Sequence, residues 1–468
     1  MRRSDTPPPV TVVDLFAGCG GFTQGFHAFR PAGAEASGPV FRSLAAVERN
    51  RDAAATFSAN FGALRGRSGT AHARVYVGDI ERWSPGADAL GADVVVGGPP
   101  CQGFSGLNGG KVGSERNGLW REYMRIVRLI QPKIFVIENV DRYLRSAEFR
   151  DLLVEMEPGG GLADYRLVDP PGAAPGDTPT TRAQRHLLNS ADYGSVQQRR
   201  RAIVIGVRKD LARGSTLQFP APSHLSMPKP PQIHVQRSLF GDDAAAQVLR
   251  PWLPVDGVFD ESAKVDLRGT ELPGSREWFP EIDAEVPGIF TTSDLHFGRT
   301  PELSSLARYR AIPPGGNRND LRGKWFTVDE SGGVRIFAEA RPAGVATPVR
   351  YLSTESWDRH NTGSGDVMGR LRLGRPSVTI RTEFFKPEKG RYLHPALDRP
   401  ITHYEAARIQ GFPVDFRWCG NKSEIARQIG NAVPVPLGSA IASAIYACLR
   451  GGQSTVEAVP ARTWSQGR

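Results

Sequence analysis

Over the first 208 residues, short β-branched runs that end in acids or glycines alternate with longer amphipathic runs. That alternation restricts the chain to few architectures. Val10–Val13 is an expected strand ending at Asp14, with a Gly-rich turn after it. Leu44–Val47 is a second, ending at Glu48, and Val75–Val77 a third, ending at Gly78-Asp79. Asp93–Val96 is a fourth, ending in Gly97-Gly98-Pro99-Pro100. Leu119–Leu129 carries helical periodicity, Ile134–Ile137 is a fifth strand ending at Glu138, and Ala202–Val207 a later one. Strands alternating with helices predict an α/β fold, a mostly parallel sheet with helices on both faces. Ligands in such sheets bind beyond the carboxyl ends of the strands, so the strand-end residues are candidates for one shared pocket.

The pattern then changes. Residues 158–182 are rich in Gly, Pro and Thr and read as a surface loop. Phe219-Pro220-Ala221-Pro222 and Pro228-Lys229-Pro230-Pro231 read as linker. Residues 232 to about 370, with Trp252, Trp278, Trp325 and Trp357, show no clear alternation, and about 209–389 is expected to form a smaller, irregular, β-leaning domain. Helices return at His403–Gln410, Ser423–Gln428 and Pro436–Leu449. The expected division is therefore 1–208 plus about 390–450 as one domain, 209–389 as a second, and 451–468 as a frayed polar tail.

Lys and Arg number 59 against 49 Asp and Glu, a net charge of +10 that suggests a polyanionic partner, with nucleic acid foremost. The four cysteines, Cys19, Cys101, Cys419 and Cys448, are spaced neither as metal ligands nor as a redox pair. The start lacks the apolar stretch of a signal peptide and no segment has the apolar length of a membrane span. A reducing cytoplasm is the expected location, where a thiol stays free to react.

Asp14-Leu15-Phe16-Ala17-Gly18-Cys19-Gly20-Gly21-Phe22 joins a strand, a Gly-rich turn and a helix start, the layout of a nucleotide cradle. Alone it also suits a dehydrogenase or a structural turn. The glycine spacing is not that of a dinucleotide fingerprint, and the acid just before the loop suits a cationic sulfonium better than a pyrophosphate. Glu48 suits a ribose diol, and Asp79 could accept from an adenine amine. Each acid read singly is as well explained as a solvated loop residue. In Gly97-Gly98-Pro99-Pro100-Cys101-Gln102-Gly103-Phe104-Ser105, two prolines stiffen the approach to a thiol at the ligand-binding edge. Glycines at 103, 106, 109, 110 and 113 follow, so the loop could close over a substrate. In Ile137-Glu138-Asn139-Val140, a carboxylate ends an apolar strand; it is a candidate acid, or a capping or ion-paired glutamate. In Gln197-Gln198-Arg199-Arg200-Arg201, the alternate residues Arg199 and Arg201 would point the same way, toward a thiolate or a base carbonyl.

Together with Gln428-Ile429-Gly430-Asn431-Ala432-Val433-Pro434 and Tyr404–Pro413, these motifs resemble, in order, those of the C5-cytosine DNA methyltransferase family of bacterial restriction-modification type. The resemblance covers about 1–208 and 370–450. It implies a Rossmann-like, class I S-adenosylmethionine-dependent fold with a target-recognition domain between the matching parts. It implies that Cys101 is the nucleophile, Glu138 the base-binding acid, and Arg199 and Arg201 the pocket arginines. It also implies a cofactor pocket formed by Asp14, Phe16, Gly18, Gly20, Gly21, Glu48, Asp79, Ile80, Pro99, Leu119 and Asn431. Gln102, Ser105 and Asn139 would line the substrate base and its loop, and no metal is implied. Two departures stand out: Arg49 where the family often has an aromatic, and Val196 where proline is common.

The implied cofactor is S-adenosyl-L-methionine. The implied partner is double-stranded DNA, bound by a monomer, with a companion restriction endonuclease or other defence-system protein in a bacterial, nucleoid-associated setting. A thiolate adding to C6 of cytosine makes C5 enamine-like, which requires the base to leave the stack. An RNA (tRNA-directed) cytosine-5 methyltransferase of the same fold, a catalytically inactive DNA-binding module and a nicotinamide dehydrogenase are the alternatives. The long middle region, the intact Cys101, Glu138 and Arg199, and the Pro-Cys and Asn431 motifs respectively argue against them.

Overall fold

The computed structural model describes residues 7–31, 39–62, 72–100, 118–211, 216–226, 249–359 and 366–450. Its largest sheet has eight strands: β1 (Val10–Leu15), β2 (Phe41–Glu48), β3 (Arg74–Val77), β4 (Val94–Gly97), β5 (Ile134–Asn139), β6 (Tyr165–Leu167), β7 (Leu187–Asn189) and β8 (Arg200–Arg208). The order is β3-β2-β1-β4-β5-β8-β6, and β7 also pairs with β8. β1 to β5 run parallel to one another. β8 is antiparallel to β5, β6 and β7. Chain order therefore reverses between β1 and β4, where such sheets open a crevice beyond their carboxyl ends.

Alternate residues of a strand face opposite sides. Val10, Val12, Val94, Val96, Ile134, Val136, Ile203 and Ile205 enter one core. Val13, Leu15, Val95, Phe135, Ile137 and Val204 enter the other. Burial on both faces explains why these strands read as continuous apolar runs. Helix α1 (Gly21–Ala28) and the helix Val435–Arg450 cover the first core. They approach so closely that a Cβ on Gly25 would lie 2.7 Å from the Gly438 Cα. Helix α2 (Arg51–Phe61) starts where the Asn50 side chain accepts from the Ala53 amide at 2.9 Å. Helix α3 (Leu119–Ile130) covers the second core and buries Tyr123, whose hydroxyl donates to the Val136 carbonyl at 2.8 Å. At the amino edge, Asp93 accepts from the Thr11 amide at 3.0 Å and Lys133 Nζ at 2.7 Å, pinning β1, β4 and β5 in register.

Two stretches differ from the sequence expectation. The loop expected over 158–182 contains β6 and a helix, Pro179–Gln184. The linker expected at Phe219–Pro222 is packed: Phe219 joins the first core and Tyr193 Oη donates to the Pro220 carbonyl at 3.3 Å. Pro228–Pro231 and the tail 451–468 lie outside the described residues.

The chain divides into two compact units, one of Met1–Leu253, Arg276–Val286 and Ala432–Arg468, the other of Pro254–Ser275 and Pro287–Asn431. These limits differ from the boundaries expected at 208 and 390. The chain just past Arg208 stays with the first unit partly because Trp252 Nε1 donates to Asp192 Oδ1 at 2.8 Å. Residues from 390 to 431 stay with the second. There Glu405, on the helix His403–Ile409, accepts from Arg399 Nη2 at 2.7 Å and Ser262 Oγ at 2.9 Å. Burial raises the Glu405 carboxyl, but the Arg399 guanidinium, His394 and the Thr402 amide together hold the group below its ordinary value.

The second unit has a three-stranded antiparallel sheet, with Trp325–Val328 between Val334–Phe337 and Arg350–Tyr351. Two buried arginines brace this unit. Arg370 donates to the carbonyls of Ile312 (2.7 Å), Tyr309 (2.7 Å) and His394 (3.0 Å) and to Asp398 Oδ1 (2.6 Å). Arg391 donates to the carbonyls of Gly315 (2.9 Å) and Gly316 (3.0 Å) and pairs with Asp366 at 2.7 Å.

Candidate active site at the carboxyl edge of the sheet

β1 ends in a turn whose backbone is unusual for its sequence. Phe16 has φ 55° and Gly18 φ 55°, and Gly20 (φ 88°) caps α1. A left-handed conformation at a non-glycine residue costs about 1–2 kcal/mol, so the fold holds Phe16 there against its preference. The Phe16 ring packs at the border of the second core together with Leu119, and Ile80 is a buried member of that core. A Cβ on Gly18 would meet nothing within 4 Å, so open space adjoins the turn.

Glu48, at the end of β2, fastens this turn. Its Oε2 accepts from the Gly18 amide at 2.8 Å and its Oε1 from the Asn50 amide at 2.7 Å. Burial raises the Glu48 carboxyl despite the amides donating to it. Asp14 accepts from Thr23 Oγ1 at 2.7 Å. Burial pushes Asp14 up to about 7; the Thr23 hydroxyl opposes the rise and Glu48 adds to it. After β3, Asp79 caps a short 3-10 turn by accepting from the Glu81 amide at 3.2 Å. Arg49, the departure noted in the sequence, lies 4.0 Å from Asp79 with its side chain exposed. Gly20 and Gly21 are spacers: a Cβ on Gly20 would lie 2.5 Å from the Phe61 ring, and one on Gly21 2.8 Å from the Val433 carbonyl.

A second group surrounds the exit of β4. Asn139 Nδ2 donates to the Pro99 carbonyl at 2.9 Å, tying the end of β5 to the residue two before Cys101. Glu138 pairs with Arg201 Nε at 2.8 Å, both side chains mostly buried. A Cβ on Gly98 would stand 3.0 Å from Glu138 Oε2, so the glycine keeps space open beside that carboxylate. In the arginine run, Arg199 is buried and Arg200 exposed. The antiparallel pairing of Glu138 with Ile203 brings the start of β8 to the end of β5.

Cys101, Gln102 and Ser105 lie outside the described residues. Asn431 is the last residue of the helix Lys422–Asn431, in the second unit. The other three cysteines are buried, and burial pushes the Cys19 and Cys448 thiols upward, away from the reactive thiolate. Sequence reasoning missed Thr23 and Asn50. Asn50 was detectable as a helix cap, one residue before α2. Thr23 carries no such signal, because its role depends on α1 folding back beside β1.

A family model, C-5 cytosine-specific DNA methylase, matches residues 10–250 and 303–447. The chain is 29% identical to the Type II methyltransferase M.AgeI of Thalassovita gelatinovora, over 92% of this chain and 98% of that protein. It is 28% identical to the Type II methyltransferase M1.HphI of Haemophilus parahaemolyticus, over 93% and 86%. It is also 28% identical to chicken DNA (cytosine-5)-methyltransferase 1, over 94% of this chain but 30% of that one. A solved Escherichia coli structure, assigned as a prophage-encoded DNA modification methyltransferase, superposes with a TM-score of 0.50 at 21% identity, covering 94% and 99%.

Proposed function

Because the chain belongs to the C-5 cytosine-specific DNA methylase family, we propose that Cys101 is its nucleophile, with Glu138 and Arg201 as the polar pair that receives the base. The enzyme is a DNA (cytosine-5-)-methyltransferase. The observation that carries the assignment of residues is the convergence at the exit of β4. The Asn139–Pro99 bond and the Glu138 carboxylate paired with Arg201 and facing Gly98 both lie at the last described residues before Cys101. The other three cysteines are buried away from such chemistry.

Methylation at C5 needs electrons that cytosine lacks there. The Cys101 thiolate adds to C6, and the ring's electrons move toward C5. Glu138, held by Arg201, hydrogen-bonds the N3 and exocyclic amine edge and stabilises the charge that develops on the ring. After C5 is methylated, loss of its proton restores the double bond and expels the thiolate. A stacked base cannot be reached this way, so the nucleotide flips out of the duplex.

The turn after β1 fits S-adenosylmethionine, which supplies a methyl group on a sulfonium. Phe16, backed by the buried Ile80, offers apolar surface to the adenine and Asp79 an acceptor for its amine. Glu48 keeps lone pairs for the ribose hydroxyls, and open space adjoins Gly18. Asp14, Gly20, Gly21, Pro99 and Leu119 shape the same pocket. Arg199 supports the base pocket, with Gln102, Ser105 and Asn139 around the base and its loop. Residues of the second unit read the target sequence. Two relatives carry the name Type II methyltransferase, which supports a role as the modification enzyme of a restriction-modification or related defence system with a companion endonuclease.

Bisulfite sequencing of plasmid DNA from cells expressing the chain, beside Cys101→Ala, tests this. Protected cytosines within one short sequence, absent in the variant, are expected. Methylation persisting in the variant would overturn the thiolate mechanism. Unmodified DNA from soluble protein that binds S-adenosylmethionine would overturn the choice of substrate.

A further inference from the structure

We propose that the turn Arg372-Leu373-Gly374-Arg375 grips duplex DNA, its two arginines on phosphates and Leu373 as an apolar wedge against a base step. This rests on DNA being the substrate. Leu373 is 55% exposed. A lone exposed leucine is ordinary, so its surroundings decide. From Val367 to Thr382 the chain has Arg370, Arg372, Arg375 and Arg381 and no Asp or Glu. Arg372 and Arg375 are exposed, and among the described residues neither forms an ion pair, whereas Arg370, Arg391, Arg399 and Arg408 of the same unit all do.

The turn is also held rigidly. Gly374 takes φ 72° at the tip, and its amide donates to Asp256 Oδ2 at 2.8 Å. The Arg375 carbonyl accepts from the Val255 amide at 2.9 Å, and the Leu371 amide donates to the Leu393 carbonyl at 2.9 Å. Arg372 Nε donates to the Gly315 carbonyl at 3.3 Å, and the buried Arg391 donates to that same carbonyl at 2.9 Å. A fixed backbone thus presents a cation, an apolar side chain and a second cation in order. Two guanidiniums suit a phosphate backbone, and an apolar side chain between them suits insertion at a base step.

The test uses the full chain and a duplex carrying the sequence that the wild type methylates. Binding is titrated over a salt series for wild type, Arg372→Ala/Arg375→Ala, Arg372→Lys/Arg375→Lys and Leu373→Ala. Each phosphate contact contributes about 0.9 to the slope of log K against log salt, so the double alanine variant should lose about 2 from the slope and bind on the order of tenfold more weakly or worse. The lysine pair should keep the slope. Leu373→Ala should weaken binding with the slope unchanged. S-adenosylmethionine binding by calorimetry should be the same in all four proteins. An unchanged slope and affinity in the double alanine variant would overturn the assignment. If the wild type bound no duplex in a salt-dependent way, the reading of the substrate would fall with it.

Discussion

Asp14 couples the stability of the first unit to pH. Its carboxyl moves from 3.8 to about 7 on folding, chiefly through burial. The folded state therefore binds a proton more tightly than the unfolded chain. The resulting stabilisation is complete below pH 3.8 and is lost as pH rises to about 7. The whole span corresponds to about 4 kcal/mol. His27 and His186 oppose it: burial lowers both to about 4, so their neutral forms favour folding as pH rises. Asp14→Asn separates the two effects, because an amide oxygen can still accept from Thr23. We expect the variant to melt higher than wild type at pH 8, with the gap closing toward pH 4. A gap independent of pH in paired melting curves would show that Asp14 does not titrate in this range. The places of Asp14 and Glu48 at strand ends were legible in the sequence, since each closes an apolar run. The bonds from Gly18 and Asn50 to Glu48 were not, because they depend on how two separate turns meet.

Among the elements, the pairing of α1 with Val435–Arg450 sets the tightest tolerance. The C-terminal helix was readable in the sequence, but its partner was not. It is Gly25, with a Cβ position 2.7 Å from the Gly438 Cα. Backbone cannot yield as a flexible side chain does, so Gly25→Ala should force the helices apart. Overpacking of this kind costs about 1–3 kcal/mol, against a gain of up to about 1 kcal/mol from removing a helical glycine. The net expectation is a lower midpoint in urea with the slope kept, and an unchanged or higher midpoint would show that the helices separate freely. The central strands were legible because both faces are buried and the apolar run is continuous. β6 and β7, of three residues each, were missed because so short a strand shows barely one alternation. The packed Phe219–Pro222 was read as linker because proline content indicates extended chain but not whether that chain lies on a core.

For the molecule as a whole, the first unit is assembled from both ends of the chain: β1 begins at Val10, and the helix that closes its core ends at Arg450. The sequence already joined 1–208 to about 390–450 in one domain; the observed first unit runs on to Leu253, where Trp252 bonds Asp192, and resumes only at Ala432, because Glu405 ties its helix to Ser262 in the second unit. Cooperativity should follow the core and not the sequence. A ligand that binds only the folded state stabilises it by about 2.7 kcal/mol at a hundred times its dissociation constant, slowing exchange of globally protected amides about a hundredfold. S-adenosylmethionine should therefore slow the slowest amides of β1, β4 and α1, and equally those of Val435–Arg450, which shares their core. Hydrogen exchange followed by mass spectrometry, with and without the ligand, measures both sets in one experiment. Protection confined to the turn after β1 and to α1, with the C-terminal helix unchanged, would mean that this helix opens by itself and that the first unit is not one cooperative body.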